Sequence, residues 1–376
     1  IYLNIFLISL IFSLYLFEAY LNLIVSDEHI LETKSNIYKL KTNKNYDKRT
    51  KYEVYNDLKK VENNISVAAP PAALHLYDEN KNIFPFSGKS NSKTIVCNEN
   101  GYFSIFQSDR YGFNNPDYEW DKDEIEYLII GDSLAFGECV NRPNDIASIL
   151  RKLSNKAVIN LGYGSNGPII EYAALREYYP KNTKKILWLY SEINDLFDIN
   201  EELKNKVLKN YFDNEKFTQN LKIKQDLIDE IVLNKIYLER NVKTKFNIKE
   251  FLIYFVKFTK LRNLISPHEY TPNENFLDLF KKVKQFAKTN NSEIYFVYMP
   301  GATRYLAVQY DQYYNEVKKI IENLGISIID IHSEVFAKEE NPLNLFPFQM
   351  MGHYTEEGYE KAAKVIYNKT NIISKN

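Results

Sequence analysis

The stretch YLIIGDSLAFG, Tyr127 to Gly137, decides the fold. It joins a short apolar run to a Gly-Asp-Ser turn and then to residues that suit a helix. Four apolar residues ended by a turn signal read as a strand buried on both faces. Ser133 then opens a helix at the C-terminal end of that strand, the edge at which open α/β sheets place their ligands. The first helical turn offers free backbone N–H groups and a positive dipole end, both suited to a developing oxyanion. Gly131 lets the backbone turn tightly. Taken alone, a Gly-Asp-Ser turn serves equally well as a structural helix cap.

Working outward, the strand-turn-helix unit repeats. Asn144 is placed to cap a helix reaching about Leu153, and Ala157 to Leu161 (AVINL) reads as a second strand. A Gly-rich turn, Gly162 to Gly167, leads into a helix from Pro168 to Tyr179, and Lys185 to Tyr190 (KILWLY) is a third strand. Glu293 to Tyr298 and Ile326 to Ile331 are the fourth and fifth. Helices are expected over Asn275–Thr289, over Gln309–Leu324 and from near Thr355 to about Tyr367. This alternation predicts an α/β fold, a three-layer αβα sandwich around a parallel sheet. Residues from about 198 to 267 lack strand runs and carry Lys, Leu and Ile at helical spacing, so a helical insertion is expected inside the 126–373 domain.

Upstream, residues 76–125 mix short apolar stretches with Gly, Ser and Asn and read as a β-rich extension. Residues 26–75 are rich in Lys, Asn and Asp and read as a juxtamembrane linker. It is partly helical over Asp47–Glu62 and ends in a rigid AAPPAA break, Ala68 to Ala73. Residues 1–25 are almost wholly apolar apart from short polar residues and Glu18. About 20 such residues at about 1.5 Å each cross a bilayer core, and no small-x-small cleavage site comes after them. A retained transmembrane anchor is therefore expected in preference to a cleaved signal peptide. The acidic flank Asp27, Glu28, Glu32 suits export of the C-terminal remainder, whereas Lys34, Lys39, Lys41, Lys44 and Lys48 argue the other way. We take the domain to be extracytoplasmic.

Of 376 residues, 48 are Lys or Arg and 49 Asp or Glu, a formal net charge of -1. That balance supplies no field for nucleic acid, which is not expected as a partner. Tyr (30) and Phe (23) are abundant, and many of the tyrosines are expected near the surface. The chain has two cysteines and no CxxC or Cys/His cluster, so neither a metal nor a cofactor is expected. In an exported chain an even count allows one disulfide, Cys97–Cys139, stapling the extension to the loop after the Ser133 helix. Two buried free thiols are the alternative.

Four blocks together resemble the SGNH (GDSL-type) hydrolase family: GDSL at Gly131–Leu134, NLGYGSNGP at Asn160–Pro168, SEINDL at Ser191–Leu196 and GHYTEEGY at Gly352–Tyr359. They fall in that family's order and at the expected strand ends, over about residues 126 to 373. The resemblance implies a flavodoxin-like fold and acyl transfer through an acyl-serine. Carried over, it makes Ser133 the nucleophile and its N–H one oxyanion donor. It makes Ser165, or Gly164 beside it, a second donor through the backbone, and the Asn194 amide a third. Without the family, Asn194 reads as a helix cap. His353 becomes the general base. The family's Asp three residues earlier is here Met350. The histidine must then be oriented by a backbone carbonyl or by an acid from elsewhere, and Asp330 at a strand end is a candidate. His332 is a rival base, while His29, His75 and His268 lie outside the strand-end loops. The expected substrates are acyl esters or carbohydrate, by ester hydrolysis or by O-acetyl transfer on cell-envelope polysaccharide. The competing expectation is a non-catalytic carbohydrate-binding or assembly protein on a degenerate scaffold of this kind. The sequence is silent on oligomeric state.

Overall fold

In the computed structural model, which describes residues 2–24, 27–78, 83–240, 248–265, 271–306 and 313–372, the apolar runs become one five-stranded sheet. Three short strands precede it: β1 (Ile65–Val67), β2 (Lys93–Ile95) and β3 (Ile105–Gln107). The sheet itself consists of β4 (Ile125–Gly131), β5 (Val158–Asn160), β6 (Thr183–Ser191), β7 (Glu293–Met299) and β8 (Ser327–Asp330). Its order is β5-β4-β6-β7-β8 and every pairing is parallel. The chain therefore steps outward from β4 to β5, then crosses back to β6 on the other side. That reversal opens a crevice at the C-terminal ends of β4 and β6, where Gly131 pairs with Leu189.

Successive side chains of a strand point to opposite faces, and the two faces of this sheet are filled accordingly. Leu128, Ile130, Ile186, Trp188 and Phe296 join one core with the helices Pro168–Tyr178 and Glu274–Thr289. Tyr127, Ile129, Leu187, Leu189 and Val297 join the other with Ile146–Ser154 and Glu356–Ile372. This is the expected three-layer sandwich. Nine tyrosines are among the largest fully buried side chains, including Tyr127, Tyr190, Tyr298 and Tyr354. The aromatic surplus thus builds much of the core, while other tyrosines, such as Tyr20, Tyr118 and Tyr237, lie at the surface as expected.

Several boundaries differ from the sequence reading. Residues 49–75 do not form a linker. The helix expected over Asp47–Glu62 is present as Lys51–Leu58, capped by Thr50 through a reciprocal bond pattern with Glu53, but β1 pairs in parallel with β2, and Ala68–Ala73 runs into the helix Pro71–His75. β1, β2 and β3 form their own small sheet, and Ile65, Val67, Ile95 and Phe106 enter the first core. Asp145, not Asn144, caps the helix Ile146–Ser154. The helix expected from Gln309 is described over Tyr314–Asn323, and its first expected residues lie outside the described ones.

The chain separates into two units, Ile1–Lys48 with Val242–Tyr270, and Arg49–Asn241 with Thr271–Asn376. The sheet and its helices make up the second. Helices at Asp195–Glu202, Lys206–Asp213 and Gln225–Glu239 belong to it as well, so only the latter part of the expected 198–267 insertion groups with the N-terminal helix.

Candidate active site

At the end of β4 the backbone turns through Gly131 with φ 153°, where a Cβ would lie 2.8 Å from both the Ala135 Cβ and the Leu189 carbonyl oxygen. Only glycine fits that turn. Asp132 comes next as N-cap, its carboxylate accepting the Leu134 N–H at 2.9 Å, and Ser133 begins a single helical turn that ends at Gly137. The Ser133 Oγ lies 3.4 Å from the Asp132 Oδ2. Burial raises the Asp132 carboxyl to about 6, against the Leu134 N–H and the nearby His353, which favour its ionised form.

The Gly-rich turn is fastened to this Ser133 turn by Asn160. Its side chain is fully buried, donates to the Ala135 carbonyl at 2.6 Å and accepts the Gly162 N–H at 2.8 Å. Asn160 opens the second sequence block, where nothing gave it a role, although a buried amide at a strand end is a common clamp. Ser165 sits in the left-handed region with φ 63°, exposed beside Gly164.

After β6, the Ser191 hydroxyl donates to the Asn194 Oδ1 at 2.7 Å, and the Asn194 amide donates to the Asp198 carboxylate at 2.6 Å. Asn194 stands at the N-cap position of Asp195–Glu202, yet its side chain makes no capping bond. One amide hydrogen goes to Asp198, and the amide has a second to give. A buried Glu192–Arg304 ion pair holds the neighbouring rim, with Glu192 also accepting the Gly301 N–H at 3.1 Å.

The final block carries His353, and the carboxylate beside it comes from the β-rich extension. The Glu99 Oε2 lies 3.1 Å from the His353 Nδ1 and accepts the His353 backbone N–H at 2.7 Å. Gly352 makes room, since a Cβ there would come within 2.8 Å of the same oxygen. On the other side of the ring, the His353 Nε2 is 3.8 Å from the Glu138 Oε2. Burial works against the imidazolium, but the Glu99 hydrogen bond and charge, with Glu138 and Asp132 behind, raise His353 to about 9.

The segment that carries Glu99 is tied down by a disulfide. Cys97 and Cys139 are joined, with Cα atoms 5.2 Å apart, and Asn100 donates to the Cys139 carbonyl at 2.9 Å. The residues flanking Cys97 are thereby brought to the end of the Ser133 turn. That pairing was the signal through which Glu99 could have been found. Among the described residues, Glu99, Cys139 and His353 are the one group bringing three metal-donor types together. The Cys139 sulfur is spent in the disulfide, and two remaining donors do not make a metal centre.

Ser133, Ser165, Asn194 and His353 line a single cleft of about 470 Å³, together with Asp132, Glu138, Asp198 and Met351. Two sequence candidates lie elsewhere. Asp330 caps the turn after β8 by accepting the Ser333 N–H, and its carboxylate is taken up by Lys318 and Tyr314. β8 is an edge strand away from the reversal point, so a carboxylate at its end does not reach the cleft. His332 is bonded to the Tyr305 hydroxyl at 2.8 Å and does not line the cleft either. Met350 comes directly after the short helical turn Pro347–Gln349, and His75 is bonded to the Ile83 carbonyl at 2.7 Å. His268 lies outside the described residues.

Four SGNH-type blocks, in family order, thus converge on one edge of a parallel sheet. An SGNH-type fold fits this chain. No protein-family model and no curated protein matches it. Among solved structures it is similar to a lipolytic protein of the G-D-S-L family from Desulfitobacterium hafniense, at 14% identity and TM-score 0.36, covering 65% of this chain and 99% of that one. It is also similar to a member of the lipolytic G-D-S-L family from Veillonella parvula, at 12% identity and TM-score 0.37, covering 65% and 97%. A third is an acetyl xylan esterase from Butyrivibrio proteoclasticus, at 14% identity and TM-score 0.32, covering 69% and 66%.

Behind this cleft lie further acids. Glu171 is buried with neither carboxylate oxygen hydrogen-bonded, and burial, then Asp195 and Asp132, hold its carboxyl well above the usual range. A carboxyl raised in the folded state costs stability as pH rises above its unfolded value, because the unfolded chain ionises first. Glu171→Gln is therefore expected to melt above wild type at pH 8, with the gap closing towards pH 5. Calorimetry across that range checks it; a gap independent of pH would contradict the linkage.

Proposed function

We propose that this chain is a serine ester hydrolase of SGNH type, with Ser133 as nucleophile, His353 as base and Glu99 as the acid that orients the base. The observation that carries the reading is a cleft holding a strand-end serine and a histidine whose far nitrogen meets a carboxylate. His353 takes the Ser133 proton as Oγ attacks the ester carbonyl. The Ser133 N–H, the Gly164 or Ser165 N–H and the Asn194 amide receive the oxyanion. The proton then passes to the leaving alcohol, and water, or a sugar hydroxyl, attacks the acyl-serine in turn. Glu99 holds the Nδ1 proton and stabilises the imidazolium that forms.

The acidic and basic side chains lining the cleft are Asp132, Glu138, Asp198 and His353. That lining favours an uncharged ester, such as an acetylated neutral sugar, over one with a carboxylate beside the scissile bond. An apolar N-terminal helix, Tyr2–Asn22, long enough to cross a membrane, supports an envelope location, as does a disulfide, which persists in oxidising compartments. Transfer of an acetyl group to envelope polysaccharide is the finer form of the same chemistry. A fluorophosphonate probe tests the core claim: covalent labelling lost in Ser133→Ala is expected. Absence of both labelling and ester turnover would favour the non-catalytic scaffold, whose main support was Met350.

The base must be neutral to act, so kcat/KM is expected to climb with pH through about 9 in the free enzyme. Glu99→Gln removes the carboxylate that most favours the imidazolium. The acid limb should move to lower pH while the plateau falls, since the imidazolium formed during reaction loses its counter-charge. An acid limb at the same pH in the variant would remove Glu99 from this role.

A further inference from the structure

We infer that the segment Ile248–Ile265 is a second membrane element, a short helical hairpin lying in lipid beside Tyr2–Ile24, with the bilayer itself as the partner of its exposed apolar face. The inference rests on the membrane reading of Tyr2–Ile24 and goes beyond it.

The hairpin consists of the helices Ile248–Val256 (IKEFLIYFV) and Thr259–Ile265 (TKLRNLI). The first, apart from Lys249 and Glu250 near its start, is nearly as apolar as the span but too short to cross, about 14 Å at about 1.5 Å per residue. Leu252, Ile253, Tyr254 and Val256 are exposed, at 51%, 42%, 57% and 59%. On the N-terminal helix, Leu3, Phe6, Ile8 and Phe12 are exposed in the same way. Within this unit the two exposed apolar surfaces are continuous through Tyr15, whose ring lies 5.5 Å from Phe255 and 4.2 Å from Phe258.

Glu18 indicates the depth. It is the single acidic residue within Tyr2–Asn22 and is fully buried. Its carboxylate accepts the backbone N–H groups of Lys260 at 3.0 Å and Leu261 at 2.8 Å. In lipid, a lone carboxylate and the unpaired N–H groups that start a helix are each costly. Here each satisfies the other, an arrangement that also stabilises helices in water but gains in value where no water can replace either partner. Glu18 lies four residues inside Asn22, the end of the span, and Tyr15 lies seven inside. At about 1.5 Å per residue these depths are about 6 and 10 Å, within the half-thickness of about 15 Å of a hydrocarbon core. Exposed Lys257 and Arg262 can extend back to the headgroups. Removal of Tyr2–Ile24 would leave the Lys260 and Leu261 N–H groups without their acceptor, so the hairpin also argues for an anchor that stays.

The full-length chain is placed in nanodiscs of phosphatidylcholine and phosphatidylglycerol. A single nitroxide is attached at Ile253→Cys, or at Ile11→Cys in the span, or at Lys216→Cys on the catalytic unit; the native cysteines are joined and do not react. Relaxation by oxygen, which concentrates in lipid, is compared with relaxation by a water-soluble nickel chelate. Ile253 and Ile11 are expected to favour oxygen and Lys216 nickel, an inversion of the ratio. Nickel dominance at Ile253 with oxygen dominance at Ile11 overturns the hairpin alone. Shielding of Ile253 from both reagents means a protein partner covers it and overturns the lipid assignment. Nickel dominance at Ile11 as well overturns the membrane reading on which the inference rests.

Discussion

Ser133→Ala is expected to abolish turnover of a small acetyl ester, with a fall in kcat of about 10⁴-fold or more, and His353→Ala to do the same. Neither residue is part of the core. Ser133 begins a one-turn helix whose cap is Asp132, and His353 keeps 24% of its side-chain surface exposed. The melting temperature should therefore stay within a few degrees of wild type, which separates loss of chemistry from loss of fold. The double variant should be hardly worse than either single one, because a nucleophile without its base and a base without its nucleophile are equally disabled. Steady-state kinetics on the purified variants, with melting curves alongside, check this. His353→Ala at full activity would return the role of base to another residue, with His332→Ala the next variant to assay. Multiplicative losses in the double variant would mean that the two act separately.

Replacing both cysteines, Cys97→Ser with Cys139→Ser, is expected to act twice. The bond closes a loop with a sequence separation of 42, for which chain-entropy models give about 4 kcal/mol of stabilisation. Unfolding in denaturant should show a loss of that order. Activity should also fall to the level of Glu99→Gln, because the bond keeps the segment bearing Glu99 at the end of the nucleophile turn. Reduction of the wild type should reproduce both effects. Full activity after reduction would mean that β2 and β3, with the hydrogen bonds of the 97–104 loop, place Glu99 without the sulfur bridge.

The parts of this site that were legible in the sequence are those carried by local pattern. Ser133 comes after a buried four-residue run, Asn194 after another, and a parallel sheet brings such ends to one edge. Glu99 left no comparable trace. It lies between three-residue strands too short to show a period, and it reaches His353 across 254 positions through a disulfide bridge. Asp330 showed the opposite failing. It satisfied the strand-end rule, but at an edge strand, where Lys318 on the neighbouring helix claims its carboxylate. In the stretch 49–75 the helix was legible, but the segment read as a linker because a three-residue strand is too short to show a period in a charged surrounding. The pairing of Glu18 with backbone N–H groups 242 and 243 positions away was equally out of reach, since no side-chain pattern announces a main-chain donor.

The placement of Glu99 has a consequence for how such a protein matures. On the mechanism proposed above, Glu99, which orients His353, sits in a segment tied down by a bond that a reducing cytoplasm does not allow to persist. A newly made chain would thus carry its nucleophile and base while lacking a firmly held acid, and would pass through the compartment of its synthesis as a poor catalyst. On that mechanism full competence would come only with oxidation, so that esters met in a reducing compartment are spared.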